Sequence, residues 1–325
     1  MKNLNAIKLT DSSAVKMQKQ GRKVLFAIIR FLFLISIGYI VLFPLFDMIS
    51  NSVKTVAGYY DATVYWIPRE FTFSWYERAL KFFDIGNTLF STLSIQILSG
   101  LIEVFTCAFV AYGFARFKFP LKRLCEVILL ATILVPVQVY ILPVVLNFRY
   151  FDIFGILGLL ENLTGETLRI NLLNTGWTFW LPSVLAVGLR AGIMIYIYIP
   201  FFKGMPKELE EAASIDGANV IQTYFRVILP SATVVLFTVL VFSVIWHWND
   251  YQVSVMYFND NYPMALQLSE LPTNATVGVS IMEMTATKTG ITAAASLMFI
   301  TPLLIFYLFV QRKFVSSIDR VGITG

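Results

Sequence analysis

The chain has 325 residues, of which 57% are hydrophobic and only 14% charged, with a mean hydropathy of +0.72. Soluble domains carry about 25% charged and about 45–50% apolar residues, so this composition cannot clothe an ordinary water-facing surface and predicts an all-α polytopic membrane protein with one bilayer-embedded domain. The formal charge of +5 leaves nucleic-acid binding and the positive-inside rule in competition, while Cys107 and Cys125, in or beside apolar runs, give neither a disulfide framework nor zinc spacing.

A spanning helix needs about 20 mostly apolar residues. Six segments qualify: 24–50, 88–115, 124–147, 177–202, 231–257 and 291–311. A tail of residues 1–23 precedes the first, whose apolar run is too long, and too poorly followed by small residues, to be a cleaved signal. An outer loop of 51–87 leads to a core of 88–311 that holds the other five spans and a polar connection at 203–230; residues 312–325 form a second tail.

Sorting the cations decides the orientation. Sixteen Lys and Arg fall in the N-terminal tail, the second and fourth connections and the C-terminal tail, including Lys2, Lys8, Lys16, Arg116, Lys203, Arg312, Lys313 and Arg320. Seven fall on the other side, and Arg30 and Arg190 lie within spans. Both termini and the 203–230 connection are therefore expected in the cytoplasm, and the charge needs no nucleic acid to explain it. The outer loops, about 51–87, 148–176 and 258–290, carry the triplets Asn162-Leu163-Thr164 and Asn274-Ala275-Thr276, which match glycosylation sequons as many chance triplets do.

Several polar groups lie at membrane depth: Glu103, Gln138, Arg190, and the run His247, Asn249, Asp250. Such residues face a partner or an aqueous path, though Arg190 and Asp250 near the span ends are equally placed to snorkel. Pro136 and Pro143 flank Gln138 and Tyr140, so the third span is expected to bend and to free a carbonyl that protein or a cavity must satisfy. The one histidine, His247, sits between Trp246 and Trp248 as a packing or pathway residue and excludes most metal-centred chemistry. The expected solute pathway is Gln138, Tyr140, His247, Trp248, Asn249 and Asp250, with Trp246, Tyr251 and Tyr257 adding flat apolar faces suited to sugars or to a membrane-interface belt.

The 203–230 connection is too polar for lipid. Pro206 suits a first helical turn, and Glu208, Glu210 and Glu211 place negative charge at the positive end of the helix they begin. Leu209, Ala212 and Ala213 share a face that another surface can approach closely. Asp216-Gly217 signals a turn that needs glycine's backbone freedom. A second helical pattern runs from Ala218 to Pro230. Four acids against Lys207 argue for a protein partner over an interfacial helix facing anionic lipid.

Glu211-Ala212-Ala213, three residues, Gly217, nine residues, then Val227-Ile228-Leu229-Pro230 resembles the EAA loop of permease subunits in binding-protein-dependent ATP-binding-cassette importers, with Val227 where the motif usually has Ile. The segment Ala111-Tyr112-Gly113-Phe114-Ala115-Arg116-Phe117 with Pro120, the pair Pro136-x-Gln138-Val139 with Pro143, Asn174-Thr175 with Trp177, and Trp248-Asn249-Asp250 resemble the carbohydrate-importing branch, nearest to the second permease of maltose-type importers. The stretch Glu161 to Asn171 departs from it as an insertion. The resemblance implies a type I importer permease of the bacterial cytoplasmic (inner) membrane that translocates a sugar or oligosaccharide. It also implies a homologous permease partner, two ATPase subunits beneath, and an extracytoplasmic solute-binding protein. Glu211, Ala212, Ala213, Asp216, Gly217, Leu229 and Pro230 would form the coupling element seated on an ATPase. No Walker A pattern G-x-x-x-x-G-K-[ST] occurs, so this chain is expected to be no enzyme and to bind no cofactor, with ATP and Mg in the partner ATPase. The alternatives are an importer for a polyamine or phosphate compound and, less well supported, a secondary transporter, which would need inverted repeats and a coupling-ion site.

Overall fold

The computed structural model describes residues 2–322 except 154, 166, 261, 262, 275 and 277, and of these the side chains within 19–311 except that of 274. The side chains of Lys2, Lys8, Lys16, Arg312, Lys313 and Arg320, and Ala275 of the second sequon, lie outside the described residues. Among the described residues there is no strand, only two isolated bridges, Lys54 to Phe71 and Phe151 to Ile170.

The main helices are α1 (Lys2–Val53), α2 (Ser74–Phe82), α3 (Ile85–Arg116), α4 (Lys122–Leu134), α5 (Val137–Arg149), α6 (Ile156–Thr164), α7 (Trp177–Val184) and α8 (Ala191–Gly204). They continue with α9 (Glu208–Ile215), α10 (Val220–Ser231), α11 (Thr233–Trp248), α12 (Met264–Asn274) and α13 (Ile281–Gly322). α1 and α13 run on through the boundaries at 23 and 312, where the flanking Lys, Gln and Arg are good helix formers and Gly21 is not enough to break α1.

Three stretches, Lys19–Val53, Ile85–Arg116 and Ile281–Gln311, are single helices long and apolar enough to cross a bilayer; counting each bent pair as one span raises the number to five. The remaining expected spans are broken. Between α4 and α5 the axis turns by 99° at Val135 and Pro136. Proline there has no N–H to continue the ladder and pushes Val135 into extended backbone (φ −74°, ψ 119°). The expected 177–202 span is two helices separated at Leu185–Arg190, where Ala186 (φ 56°) and Arg190 (φ 60°) adopt left-handed backbone. The expected 231–257 span ends its main helix at Trp248, and a 79° bend separates α10 from α11.

Small residues on α3 set the packing. Cys107, Ala108 and Ala111, none of them exposed, let α8 approach closely and bury Met194, Tyr198 and Phe202 against α3 and α11. A second cluster joins α2, α12 and α13 through Trp75, Ala79, Leu271, Ile291 and Phe299, with Trp75 donating to the Lys54 carbonyl at 2.6 Å. By contrast α1 packs on α13 and exposes the apolar side chains of 24–46 almost throughout, the surface a lipid-facing helix presents. The insertion closes on itself. Glu161 accepts from the Leu168 and Arg169 amides at 2.9 and 3.0 Å and pairs with the Arg169 guanidinium at 3.1 Å, while Asp152 caps Leu157 and Gly158.

Candidate functional site: a cavity at the helix breaks and an exposed polar loop

The three breaks converge on one cavity of about 780 Å3. Its walls come from the α4–α5 bend (Pro136, Gln138, Tyr140), the 185–190 break (Gly188, Leu189, Arg190) and the end of α11 with the residues after it (Trp246, Asn249, Asp250, Tyr251). Backbone that leaves helical geometry at membrane depth is tolerated where it lines such a space. The break at 185–190 is held by specific bonds: the Thr106 hydroxyl donates to the Ser183 carbonyl at 2.7 Å, and the Val187 amide to the Pro182 carbonyl at 2.9 Å. Arg190 heads α8 with its guanidinium 5.3 Å from the Trp246 ring centroid, so both present a flat cation–aromatic pair to the cavity.

Gln138, Tyr140, Asn249 and Asp250 thus come together on the cavity wall, and Gln138, Tyr140 and Asn249 expose their side chains. Asp250 is only 7% exposed. Its carboxylate caps the one-turn helix Ser254–Tyr257, accepting from the Val253 and Ser254 amides at 3.2 and 3.0 Å and from the Ser254 hydroxyl at 2.9 Å. His247 and Trp248 do not line the cavity, contrary to the expectation from sequence. Trp248 packs on Phe299 and donates to its carbonyl at 3.1 Å, and His247 turns inward toward Glu103, 3.2 Å away. The reason is rotational phase: α11 remains helical to Trp248, so adjacent residues point about 100° apart, and only 245, 246 and 249 fall on the cavity side.

Sequence reasoning missed Thr178, Phe179 and Gly188 on the wall. Arg190, expected within a span either on a path or snorkelling near its end, lies at a break inside the expected span. Gly188 between Val187 and Leu189 was the one local signal there.

Away from the cavity, α9 begins after Lys207 with Glu208, Glu210 and Glu211 in its first turn. It closes in a left-handed glycine cap. Gly217 has φ +79°, the Gly217 amide donates to the Ser214 carbonyl at 3.1 Å and the Ala218 amide to the Ala213 carbonyl at 2.9 Å. Asn219 then starts α10 with a capping box. Its side chain accepts from the Gln222 amide at 2.8 Å and its own amide donates to the Gln222 side chain at 3.0 Å. Ala213 faces inward and is buried, while Glu211, Ala212, Asp216 and Gly217 are exposed together with Ile215, Val220, Ile221 and Phe225. Leu229 is partly buried against the α3–α8–α11 cluster, and Pro230 is exposed at the head of the bend into α11.

The loop is tied to α3 by one charge pair that the sequence did not reveal. The Arg116 guanidinium, at the last residue of α3, lies 3.0 Å from the Glu210 carboxylate and donates to the Met205 carbonyl at 2.7 Å. Its side chain is 6% exposed, so this pair is far less screened than a surface one.

The family model for the binding-protein-dependent transport system inner membrane component matches residues 104–318. The osmoprotective compounds uptake permease protein of Synechocystis sp. is 29% identical over 262 residues, 79% of this chain and 77% of that protein. The trehalose transport system permease protein of Mycobacterium tuberculosis is 28% identical over 294 residues (89% and 94%), and the melibiose/raffinose/stachyose import permease protein of Bacillus subtilis 23% over 283 residues (87% and 91%). Among solved structures, a bacterial ABC transporter involved in import of the acidic polysaccharide alginate superposes with a TM-score of 0.63 at 22% identity, covering 89% of this chain and 96% of that one, and so shares its fold. A helical chain whose interrupted spans wall a cavity and which exposes the helix pair α9–α10, matched over residues 104–318, belongs to the family of binding-protein-dependent transport system inner membrane components.

Proposed function

We propose that this chain is the permease half of an ATP-driven importer for a sugar or oligosaccharide. The observation that carries this reading is the cavity itself: three interrupted helices turn Gln138, Asn249 and Arg190 toward one space beside the flat faces of Trp246, Tyr140 and Tyr251. Sugars need that combination, because their ring faces are apolar and their edges are hydroxyls. Permeases for trehalose and for melibiose, raffinose and stachyose are among the relatives.

On this reading both termini and α9 face the cytoplasm, following the sixteen-to-seven cation split. The exposed face of α9 and α10 docks on an ATPase subunit, and ATP and Mg are held there. A homologous permease completes the cavity, two ATPase subunits lie beneath, and an extracytoplasmic binding protein delivers solute. The chain's own part is to orient solute at the helix breaks and to move those breaks when α9 is displaced.

The test is to isolate the cognate binding protein and follow its intrinsic fluorescence with trehalose, melibiose, raffinose, spermidine and glycerol phosphate, then measure uptake of each compound into vesicles holding the assembled importer. Saturable binding and uptake of one or more of the sugars is expected. Binding and uptake of spermidine or the phosphate compound, with none of the sugars, would refute the sugar assignment.

A further inference from the structure

Behind the cavity wall, α3 carries a stripe of polar side chains at three- and four-residue spacing: Gln96, Ser99, Glu103 and Cys107, each 1% exposed or less. At its centre Glu103 and His247 are both fully enclosed, with Oε2 and Nε2 3.2 Å apart. Gly100 makes the approach of α11 possible, since a Cβ there would stand 2.7 Å from the Ser243 hydroxyl and 3.0 Å from His247 Nδ1. On its other side the carboxylate rests on the 185–190 break: a Cβ at Gly188 would stand 2.8 Å from Glu103 Oε1. Gly188, Leu189 and Arg190 are themselves cavity wall, as are Trp246 and Asn249 on either side of His247 in sequence. One carboxylate therefore bears, from behind, on the 185–190 break and on the last turn of α11.

The proton count follows from the geometry. His247 Nδ1 lies 2.9 Å from the Ser243 carbonyl, which can only accept, so Nδ1 carries a hydrogen. Nε2 and Oε2 lie 3.2 Å apart with no other polar partner among the described residues, where two bare lone pairs would repel, so a single proton belongs to the two, held either by an imidazolium facing a carboxylate or by a carboxylic acid facing a neutral imidazole. The pair is neutral overall in both cases. That is how two titratable groups persist at membrane depth without a cavity or partner charge to solvate them.

We propose that Glu103 and His247 are positioning residues for solute passage: a neutral one-proton latch that pins the Leu185–Arg190 break against α11 and so fixes the shape of the cavity wall. The inference rests on the transport reading only in taking the cavity as the solute's path, and its test needs no knowledge of the solute. The rival role for such a pair in a transporter is a proton relay. The two differ in what a glutamine does: Glu103→Gln keeps a donor facing Nε2 and the same shape, but cannot exchange a proton.

In the assembled importer, with Cys107→Ala and Cys125→Ser as background, Leu189→Cys on the half-buried wall reports the wall's position through its rate of reaction with a charged methanethiosulfonate reagent. Glu103→Ala is expected to raise that rate about tenfold, the size of effect that losing one member of a coupled pair has on a local equilibrium. Glu103→Gln should leave it unchanged. Gly188→Ala, which retains both polar groups and presses on the carboxylate, should also raise it, and serves if Glu103→Ala fails to assemble. A rate that rises as much with Glu103→Gln as with Glu103→Ala would overturn the latch in favour of a proton-carrying role. Rates unchanged in both Glu103→Ala and Gly188→Ala would show that the pair does not hold the wall. A wrong sugar assignment would leave these rates untouched.

Discussion

Gly217 is the residue at which the proposed docking element can be perturbed without touching the membrane core. A Cβ added there meets nothing within 4 Å, so substitution costs no packing, and the whole effect comes from φ +79°. L-residues oppose that conformation by about 1–2 kcal/mol, and β-branched ones by somewhat more. At about 2 kcal/mol the native cap would lose roughly 30-fold in population against an opened one. The two bonds from Gly217 to Ser214 and from Ala218 to Ala213 go with it, turning the exposed face of Glu211 and Ala212 away from its present angle to α10. Asparagine tolerates the left-handed region, so the series Gly217→Asn, Gly217→Ala, Gly217→Val should show a graded loss. The assay is copurification of the ATPase subunits from membranes of equal permease content, with solute uptake on the same preparations. Gly217→Asn should stay near wild type and Gly217→Val should lose most ATPase and uptake. A Gly217→Val complex that assembles and transports normally would refute the docking role of this turn.

Arg116→Ala should weaken ATPase association or uncouple hydrolysis from uptake while membrane abundance persists, because breaking the partly buried pair with Glu210 and the bond to Met205 costs about 1–3 kcal/mol; Arg116→Lys should not restore it, since a lysine cannot hold both groups in one plane. Asp250→Ala should impair uptake and lower the complex's melting temperature by removing the cap of Ser254–Tyr257, about 1 kcal/mol, whereas Asp250→Asn should retain most of both; loss of uptake at unchanged stability in Asp250→Asn would make the carboxylate a solute contact instead. At the outer turn, the Thr63 hydroxyl (2.6 Å) and then its amide (2.9 Å) hold the Asp61 carboxyl below the usual carboxylate range. A lowered folded pKa stabilises above the unfolded value and is lost as pH falls through the folded one, so the protection factors of amides 61–64, corrected for the intrinsic pH dependence of exchange, should fall only in acid below about pH 4, and should not change with pH in Asp61→Asn. Single cysteines at Ser13, Thr164 and Thr276 should label from outside intact cells only at the last two; labelling at position 13 alone would reverse the orientation.

How much of this was legible in the sequence depends on whether the signal was local. The cytoplasmic loop was readable because its geometry is written within a few residues: three glutamates open α9, Gly217 closes it, and Pro230 marks the bend. Even the capping box was available in Asn219-x-x-Gln222 and went unread. The bend at Pro136 was readable for the same reason. The breaks at 185–190 and after Trp248 were not, because a run of apolar residues counts toward a span whether or not its amides continue the ladder, and Ala186 and Arg190 carry no hint of left-handed backbone. Asp250 with Ser254 is a helix-start pattern that length alone had absorbed into the fifth span. Which way a polar residue faces was the least legible feature. His247 and Asn249 are two residues apart, and the phase of α11 sends one to the cavity and the other to the seam behind it.

A displacement of α9 would reach the cavity through α3. Arg116 and Glu103 lie on one uninterrupted α-helical stretch, Leu98–Arg116, whose rise of about 1.5 Å per residue puts them roughly 20 Å apart. No proline or bend intervenes, and the π-helical turn of α3, Thr92–Ile97, lies beyond Glu103 on the far side. A movement of α9 passed through Glu210 to Arg116 therefore arrives at Glu103 with the whole stretch as a rigid body, and Glu103 bears on Gly188 and His247. The irregular backbone lies elsewhere, in the 185–190 break, the 99° bend at Pro136 and the end of α11, which are the segments that wall the cavity. A stiff strut that ends on irregular walls would confine deformation to the proposed solute site, and α3 has the form for it, being unbroken from Leu98 to Arg116 and carrying Ser99 and Glu103 on its buried face.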